Sequence, residues 1–307
     1  MLVRILYSVV CCGLLFSSSA LAQTKPANAP KPAVTAGVAP STYLMRYKLK
    51  AGEKIYSKVI HFAETRTKMS DHEESSSSRT TSEKIWEVKS VDGNGHMTFE
   101  YRLNSVDLAQ RVGDAPEIHY NSQTEKTAPD IFKRVAETIG TPLAMVTIDA
   151  RGAVMNRDSE LKTPQLGIGE ITIPLPEEPI AIGAQWNEPR EMRIKLENGT
   201  HKTFKVRELY TLEKVSAGVA TIRIESQPLT PLNDPNAESQ LIQQLSHGHI
   251  KFDLDNGRVI SKQLDWKEEV IGFRGPNTSL KYDARFTEEL LTESQRTANV
   301  RSTSTVK

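Results

Sequence analysis

Two histidines separated by one glycine, His247-Gly248-His249, have the residue types and spacing that come closest to a metal site in this sequence. In a β-strand, side chains at positions i and i+2 point to the same face, so the two imidazoles could share one zinc ion. Asp253 or Asp255 would then be the third ligand. The alternative is a helix end, in which His247 lies in the last turn, Gly248 caps the helix and His249 begins the next strand.

The residues before this motif favour the helix end, because Leu241, Ile242 and Leu245 repeat with a helical period. On that interpretation the two imidazoles point in different directions. We therefore predict no bound metal and no cofactor. His247 and His249 are kept as the candidate ligands if a metal does bind.

Sequence motifs for catalysis are missing elsewhere. The chain has no Gly-x-Ser-x-Gly nucleophile turn and no His-Glu-x-x-His zinc motif. Gly167-Ile168-Gly169 lacks the third glycine of a dinucleotide-binding loop. Residues 92–95 and 253–257 resemble the start of calcium loops but do not continue to the glutamate that an EF-hand requires, so turns are the better interpretation. No catalytic residue is predicted, although residues distant in sequence could still form a triad.

Strand patterns dominate the elements that must position these residues. Apolar and polar residues alternate over 97–104, 192–196 and 220–225, which places one face of each strand in a core and the other in water. Around the Asn198-Gly199 turn, the apolar residues on both sides are even-numbered. This parity predicts a loop with an odd number of residues, which a three-residue turn with Gly199 in the left-handed region fits and a two-residue turn does not.

Two amphipathic helices are also predicted, the first after Pro129-Asp130 and the second after Asp234-Pro235. In both halves of the chain the order is long strands, a hairpin, an alternating strand, one helix, and a strand with a turn. This repetition favours duplication of one unit. The predicted fold class is mainly β, with two related curved antiparallel sheets or half-barrels that each carry one packed amphipathic helix.

The charge balance of the 307 residues excludes some classes of function. Lys and Arg number 39 and Asp and Glu number 38, which argues against a nucleic-acid partner bound by neutralisation of its phosphates. A hydrophobic content of 38% together with charges of both signs argues against a chain that is disordered throughout.

The first 22 residues show the three parts of a secretory signal peptide. Arg4 is followed by an uncharged stretch over 5–16, and Ala20-Leu21-Ala22 precedes the expected cleavage point. The apolar stretch is shorter than the roughly 20 residues of a membrane-spanning helix, so no transmembrane segment is expected after cleavage. Cleavage would also remove Cys11 and Cys12. We therefore expect an exported protein of the periplasm, the cell envelope or the extracellular space.

Composition divides the chain into six predicted segments. They are a signal peptide (1–22), a disordered Pro/Ala linker (23–41), a first β-rich unit (42–155), a Pro-rich connection (156–189), a second β-rich unit (190–292) and a disordered tail (293–307).

Three short motifs carry a resemblance to other proteins: YKLKAGEK at 47–54, IAIGAQW at 180–186 and FDLDNGRV at 252–259. On these motifs, residues 42–291 resemble exported bacterial β-rich proteins known only as domains of unknown function. The resemblance implies no activity and no catalytic residue. More loosely, the expected curved sheets with helices against them are similar to the half-barrels of periplasmic lipoprotein carriers.

From these features we predict a non-enzymatic binding or carrier module of the periplasm or envelope. A concave apolar surface, with Trp86, Trp186 and Trp266 at or near it, would hold the ligand. The expected partner is an apolar small molecule or an envelope component. Two alternatives stay open: an envelope scaffold or adhesive interaction protein, and a hydrolase with a non-local, metal-dependent site through His247 or His249.

Overall fold

The computed structural model describes residues 41–158, 172–195, 199–231, 233–293 and 295. The predicted signal peptide, nearly all of the predicted linker and most of the predicted tail lie outside these residues. The predicted connection at 156–189 lies partly outside them. A search of the described helices finds none with the length and apolar character needed to cross a membrane.

The first half of the described chain is built mainly from long strands. Its elements are β1 (Thr42–Tyr43), β2 (Lys54–Met69), β3 (His72–Val91), β4 (Met97–Val112), β5 (Ile118–Asn121), a 3-10 turn (Asp130–Phe132), α1 (Lys133–Ala136), β6 (Pro142–Ile148) and β7 (Val154–Asp158).

The second half has a similar composition of elements. They are β8 (Ile180–Ala181), β9 (Gln185–Lys195), β10 (His201–Ser216), β11 (Val219–Pro228), α2 (Pro235–Leu241), a 3-10 turn (Ile242–Gln244), β12 (His247–Asp253), β13 (Arg258–Ile271) and β14 (Thr278–Leu290).

Twelve of these strands form one antiparallel sheet in the order β7-β6-β4-β3-β2-β14-β13-β12-β11-β10-β9, with β5 also paired to β4. β1 and β8 form a separate two-stranded sheet. The predicted mainly β class with two short helices is confirmed, and the large sheet is not closed. The two halves of the chain share this sheet and meet where β14 pairs with β2.

Both halves follow the same strand order. Each begins as a meander of three strands, continues through a short helix, and adds a fourth strand that pairs with the third. The helix is α1 between β4 and β6 in the first half, and α2 between β11 and β12 in the second. β5 has no counterpart in the second half, and β14 has none in the first. Different strand orders would have contradicted the duplication, which stays a prediction.

The pairing of β9 with β10 confirms the parity prediction for the turn before Gly199, of which residues 196–198 lie outside the described residues. Met192 lies opposite Phe204 and Trp186 lies opposite Tyr210, so residues of equal parity face each other. Gly199 has a φ of 79°, in the left-handed region.

The predicted helix end at Gly248 is wrong. α2 starts as expected, with the Asp234 carboxylate accepting from the Asn236 backbone N–H at 3.0 Å. The chain is already extended at Ser246, whose carbonyl accepts from the Ser226 N–H at 2.8 Å. Gly248 lies within β12, where a Cβ atom would stand 1.9 Å from the carbonyl oxygen of Gln263. Glycine is therefore required for the close approach of β13, not to cap a helix.

We call the face of the large sheet that carries the buried residues the core face, and the opposite face the outer face. One hydrophobic cluster joins core-face residues from β3, β4 and β6 with others from β10, β11 and β12. These two groups of strands belong to opposite wings of the sheet. The sheet therefore bends around a shared core, to which the 3-10 turn contributes Phe132 and α1 contributes Val135.

Residues 45–49, which we call the strap, run through this core. Met45, Tyr47 and Leu49 have exposed fractions of 0%, 5% and 6%. The Tyr47 N–H donates to the carbonyl of Ala150 at 2.8 Å, and the Lys48 N–H donates to the carbonyl of Gly257 at 3.1 Å. These carbonyls belong to the β6–β7 and β12–β13 turns, so the strap connects the two wings.

Both turns use glycine to let the strap approach. A Cβ atom on Gly152 would lie 2.5 Å from the ring of Tyr47, and one on Gly257 would lie 2.5 Å from the carbonyl oxygen of Arg46. The two glycines also have positive φ values of 83° and 60°. Each turn thus needs glycine both for its backbone conformation and for space.

We expect Gly257→Ala to destabilise the protein more than Gly52→Ala, as measured by urea unfolding. Gly52 has a positive φ of 82° but no atom within 4 Å of its would-be Cβ, so its substitution costs only the backbone strain, about 1–2 kcal/mol. Gly257→Ala adds a clash with the strap worth about 1–3 kcal/mol more. Equal losses of unfolding free energy in the two variants would show that the strap does not limit the space at Gly257.

Candidate functional site

A group of charged side chains lies inside the core, at the centre of the sheet. Lys84 of β3 is completely buried, and its Nζ lies 2.7 Å from Oε1 of Glu288 on β14. The Ser57 hydroxyl on β2 donates to the same carboxylate oxygen at 2.9 Å. Lys262 of β13, also buried, stands directly opposite Glu288 in the strand register. Adjacent strands from both halves of the chain therefore bring these groups together.

The electrostatics of this group are dominated by burial. Desolvation lowers the pKa of Lys84, the Glu288 carboxylate acts in the opposite direction, and the charge of Lys262 lowers it further. Two lysine side chains thus share the buried region with the Glu288 carboxylate.

Unpartnered polar atoms surround the same group. Six buried side-chain nitrogen or oxygen atoms of the described residues lack a hydrogen-bond partner, and four of them lie on the core face: Ser82 Oγ, Trp86 Nε1, Tyr101 OH and Trp266 Nε1. Such atoms are uncommon in folded proteins, because each one costs about 1–3 kcal/mol. Their concentration on one face calls for a physical explanation.

Three of these atoms adjoin the charged group. Ser82, Lys84 and Trp86 alternate along the core face of β3, and Trp86 lies opposite Tyr101 of β4 with ring centroids 4.5 Å apart. Burial raises the pKa of Tyr101, and the charge of Glu288 adds to the increase. Its hydroxyl therefore stays protonated and able to donate.

We call these residues together the donor cluster. Its members are Ser57, Ser82, Lys84, Trp86, Tyr101, Lys262 and Glu288.

A half-buried apolar surface, which we call the shelf, extends from the donor cluster towards α2. It comprises His61 and Ala63 of β2 with Trp266 of β13. The His61 ring lies 6.2 Å from the ring of Trp266, and burial lowers the pKa of His61. Ala63 and Trp266 of the shelf also pack against a small cluster that Ile242, after α2, forms with residues of β13 and β14.

Much of the concave side that was expected to hold a ligand is filled by the chain itself. The strap, α1 and residues 173–175 pack against the core face. Trp186 stacks on Tyr210 and donates from Nε1 to the carbonyl of Pro174 at 2.8 Å. The other two tryptophans that were predicted at or near the concave surface lie elsewhere on the core face: Trp86 belongs to the donor cluster and Trp266 to the shelf.

A groove of about 570 Å³ lies at the centre of the outer face and includes Ile60 and Phe62. His247 and the carboxylate of Asp265 also line this groove. Asp265 accepts from Arg285 at 2.6 Å and from Gln263 at 2.8 Å, so its oxygens are already engaged by neighbouring side chains.

His247 and His249 both lie in β12 and point to the outer face, because residues two apart in a strand share a face. The interpretation that their imidazoles diverge at a helix end is therefore wrong. Nε2 of His249 lies 3.3 Å from a carboxylate oxygen of Glu213. Among the residues that the structure describes, no three His, Cys, Asp or Glu side chains are grouped as a metal site would require.

We still predict that the mature protein carries no stoichiometric zinc, since two histidines alone leave a zinc ion without the three or four protein ligands it usually takes. Elemental analysis of the protein purified without chelator tests this. One equivalent of zinc that disappears in a His249→Ala variant would contradict the prediction.

Sequence patterns did not identify the donor cluster, although one signal was present. Lys84 has the same parity as the apolar residues Trp86 and Val88 on β3, and Glu288 has the same parity as Phe286 on β14. A charged residue at a core-facing position of an alternating strand is the feature that indicates a buried ion.

Comparisons with known proteins place the chain in no family. No protein-family model and no curated protein sequence matches it, so the resemblance to exported proteins of unknown function stays an expectation. A lipovitellin structure concerned with lipid–protein interactions is similar over 80% of this chain, with a TM-score of 0.40 and 10% identity. The match spans about a quarter (26%) of the lipovitellin chain.

DynF from the dynemicin biosynthesis pathway of Micromonospora chersina is similar over 89% of this chain and 95% of its own. Its TM-score is 0.20 and its identity 7%. Both likenesses are distant.

We expect Glu288→Gln to lower the free energy of unfolding by about 3–5 kcal/mol, because it removes the carboxylate that pairs with the buried Lys84 ammonium. Lys84→Met should cost less, since Glu288 keeps the Ser57 hydroxyl and the opposed Lys262. Urea unfolding at neutral pH measures both losses. A larger loss for Lys84→Met would contradict this charge arrangement.

Comparison of the wild-type protein with Lys84→Met also tests the pKa of Lys84. Its folded pKa lies below the ordinary value of 10.5, so between these two pH values the unfolded chain binds more protons and stability rises with pH. Lys84→Met should remove this contribution. Burial raises the pKa values of Tyr47 and Tyr101, which has the opposite effect at alkaline pH. The difference between wild type and variant isolates Lys84 because both proteins keep these tyrosines.

Proposed function

We propose that this chain is an exported, non-enzymatic binding module of the periplasm or cell envelope, and that its ligand binds at the donor cluster and shelf. The observation that carries the proposal is the set of three buried, unpartnered polar atoms on Ser82, Trp86 and Tyr101. They adjoin a buried lysine–glutamate pair on the same face of the sheet.

Energetics support a binding role for these atoms. Folded proteins pair nearly all of their buried polar groups, because an unpaired group loses its hydrogen bonds to water and gains nothing in return. A bound molecule that supplies acceptors recovers this cost for each of the groups it contacts. The shelf offers the molecule a half-buried apolar surface next to them.

Export is supported by the signal-peptide pattern of residues 1–22. The balance of 39 basic and 38 acidic residues supports a partner other than nucleic acid. A non-enzymatic role is supported by the chemistry of the donor cluster, whose Glu288 carboxylate is engaged by both Lys84 and Ser57.

Native mass spectrometry tests the proposal on residues 23–307, purified gently from the envelope fraction of the natural host. We expect a mass above that of the bare chain, which organic extraction removes. The denaturing mass of the same sample is the control, because it separates a bound molecule from a covalent modification.

Each other outcome favours a different function. Extra mass removed only by a chelator would favour the hydrolase alternative through His247 and His249. A bare chain that cofractionates with cell-wall or membrane material would favour the envelope scaffold. Either result would contradict the binding module.

A further inference from the structure

We infer that the edge of the sheet formed by β9 and β10 carries a cationic surface that docks onto an anionic lipid membrane. The surface is formed by residues 190–195 of β9 and 201–207 of β10, which we call the cationic ribbon. It lies apart from the donor cluster and the shelf, so the inference goes beyond the proposed binding function and does not depend on the ligand of that function.

Charge is distributed unevenly along the chain. Residues 190–207 contain six Lys or Arg residues and two Glu residues, which leaves 33 basic and 36 acidic residues in the rest of the chain. A protein that is nearly neutral as a whole therefore has a local net charge of +4 in one short segment, with the histidine of that segment counted as neutral. A local excess of positive charge attracts an anionic surface even where the whole protein does not.

The strand register places three of these cations on one face. Arg193 of β9 lies opposite Thr203 of β10, and Lys205 and Arg207 follow at alternate positions, so all three cations share the outer face of the ribbon. Phe204, which alternates with them on β10, is buried on the core face. Pairing of the two strands thus brings charges from both into one patch.

The cations of this patch are available to a partner. Arg193 and Lys205 are exposed, and neither forms an ion pair or a side-chain hydrogen bond within the described part of the chain. Glu191 stands opposite Lys205 in the register, but the two side chains make no ion pair. Arg207 donates to the neutral side-chain oxygen of Gln227 at 2.9 Å, which leaves its charge uncompensated.

An exposed apolar residue is held next to the patch. The Lys205 N–H donates to the Thr230 hydroxyl at 2.9 Å, and the Lys205 carbonyl accepts from the N–H of Leu229 at 2.8 Å. Leu229 has an exposed fraction of 51%. Unpaired cations beside an exposed leucine suit the head-group region of a membrane, where the charges meet lipid phosphates and the apolar side chain leaves water.

This combination favours a membrane over a soluble polyanion. Both would attract the cations, but only the membrane offers an apolar layer for Leu229. Nucleic acid is also disfavoured, because its tight binding requires the neutralisation of many phosphates along an extended basic face. A patch of a few cations with one leucine gives reversible binding, as expected of a protein that docks peripherally.

Cosedimentation with lipid vesicles tests the inference on the protein of residues 23–307. One set of vesicles contains equal parts of phosphatidylglycerol and phosphatidylcholine, and the other contains phosphatidylcholine alone. We expect binding to the anionic set only. The binding should weaken when the ionic strength rises from about 0.1 M to about 1 M, because salt screens the charges.

The double variant Arg193→Gln/Lys205→Gln removes two of the unpaired charges. Each Lys or Arg near an anionic membrane strengthens binding about fivefold, so we expect the affinity for anionic vesicles to fall at least about tenfold. Arg111→Gln/Lys126→Gln is the matched control, because it removes one exposed arginine and one exposed lysine from the opposite wing. The control should keep its affinity. Urea unfolding should show wild-type stability for both double variants, since none of the four side chains has a partner to lose.

Leu229→Ser tests the apolar contribution. It should weaken binding to anionic vesicles about fivefold, because the leucine no longer transfers from water into the membrane interface. Binding of soluble polyphosphate, which has no apolar layer, should be the same in this variant and in the wild-type protein.

Three results would overturn the inference. The first is no binding to the anionic vesicles, and the second is an equal loss of affinity in the two double variants. The third is strong binding of polyphosphate together with unchanged vesicle binding in Leu229→Ser, which would identify a site for soluble polyanions. The proposed function is tested separately by the native mass of the host-purified protein, so either conclusion can fail while the other stands.

Discussion

The hydrogen bonds between the strap and two turns hold the two wings of the sheet to one core. An open sheet of twelve strands has no closing ladder, so contacts across its core face must keep it bent. The strap supplies them through Tyr47 and Lys48, whose backbone N–H groups reach carbonyls in turns of opposite wings. The glycines at these turns, Gly152 and Gly257, have no side chain to hold the strap away.

The charged residues of the donor cluster lie close together because the two halves of the chain meet there. β2 and β14 pair along the middle of the sheet and bring Ser57 within 2.9 Å of Glu288, although 231 positions separate the two in sequence. A shift of this pairing by one residue would turn Glu288 to the outer face and leave Lys84 buried without it. The large cost of an uncompensated buried charge therefore disfavours the shifted register. In this way the Lys84–Glu288 ion pair specifies the register of β2 against β14, whatever the net effect of the ion pair on stability.

Local patterns in the sequence predicted local structure well. Alternation predicted the strands, and the parity of residues around Gly199 predicted the pairing of β9 with β10. The helix end at Gly248 was wrong because the glycine is needed for contact with Gln263, which lies on another strand. The donor cluster was missed for a related reason. The parity of Lys84 indicates a buried lysine, but its partner Glu288 lies about two hundred residues away, and no local period connects them.

A filled interior is compatible with the proposed binding role. The strap and α1 occupy the side of the core face that holds the main cluster, while the shelf keeps half-buried apolar side chains between that cluster and α2. A core selected for stability alone would replace Tyr101 by phenylalanine, since its hydroxyl has no partner and costs free energy. The retention of three such donors is a cost in the free protein, which the ligand of the proposed function would offset. Proteins commonly keep features of this kind at functional sites, at some expense in stability.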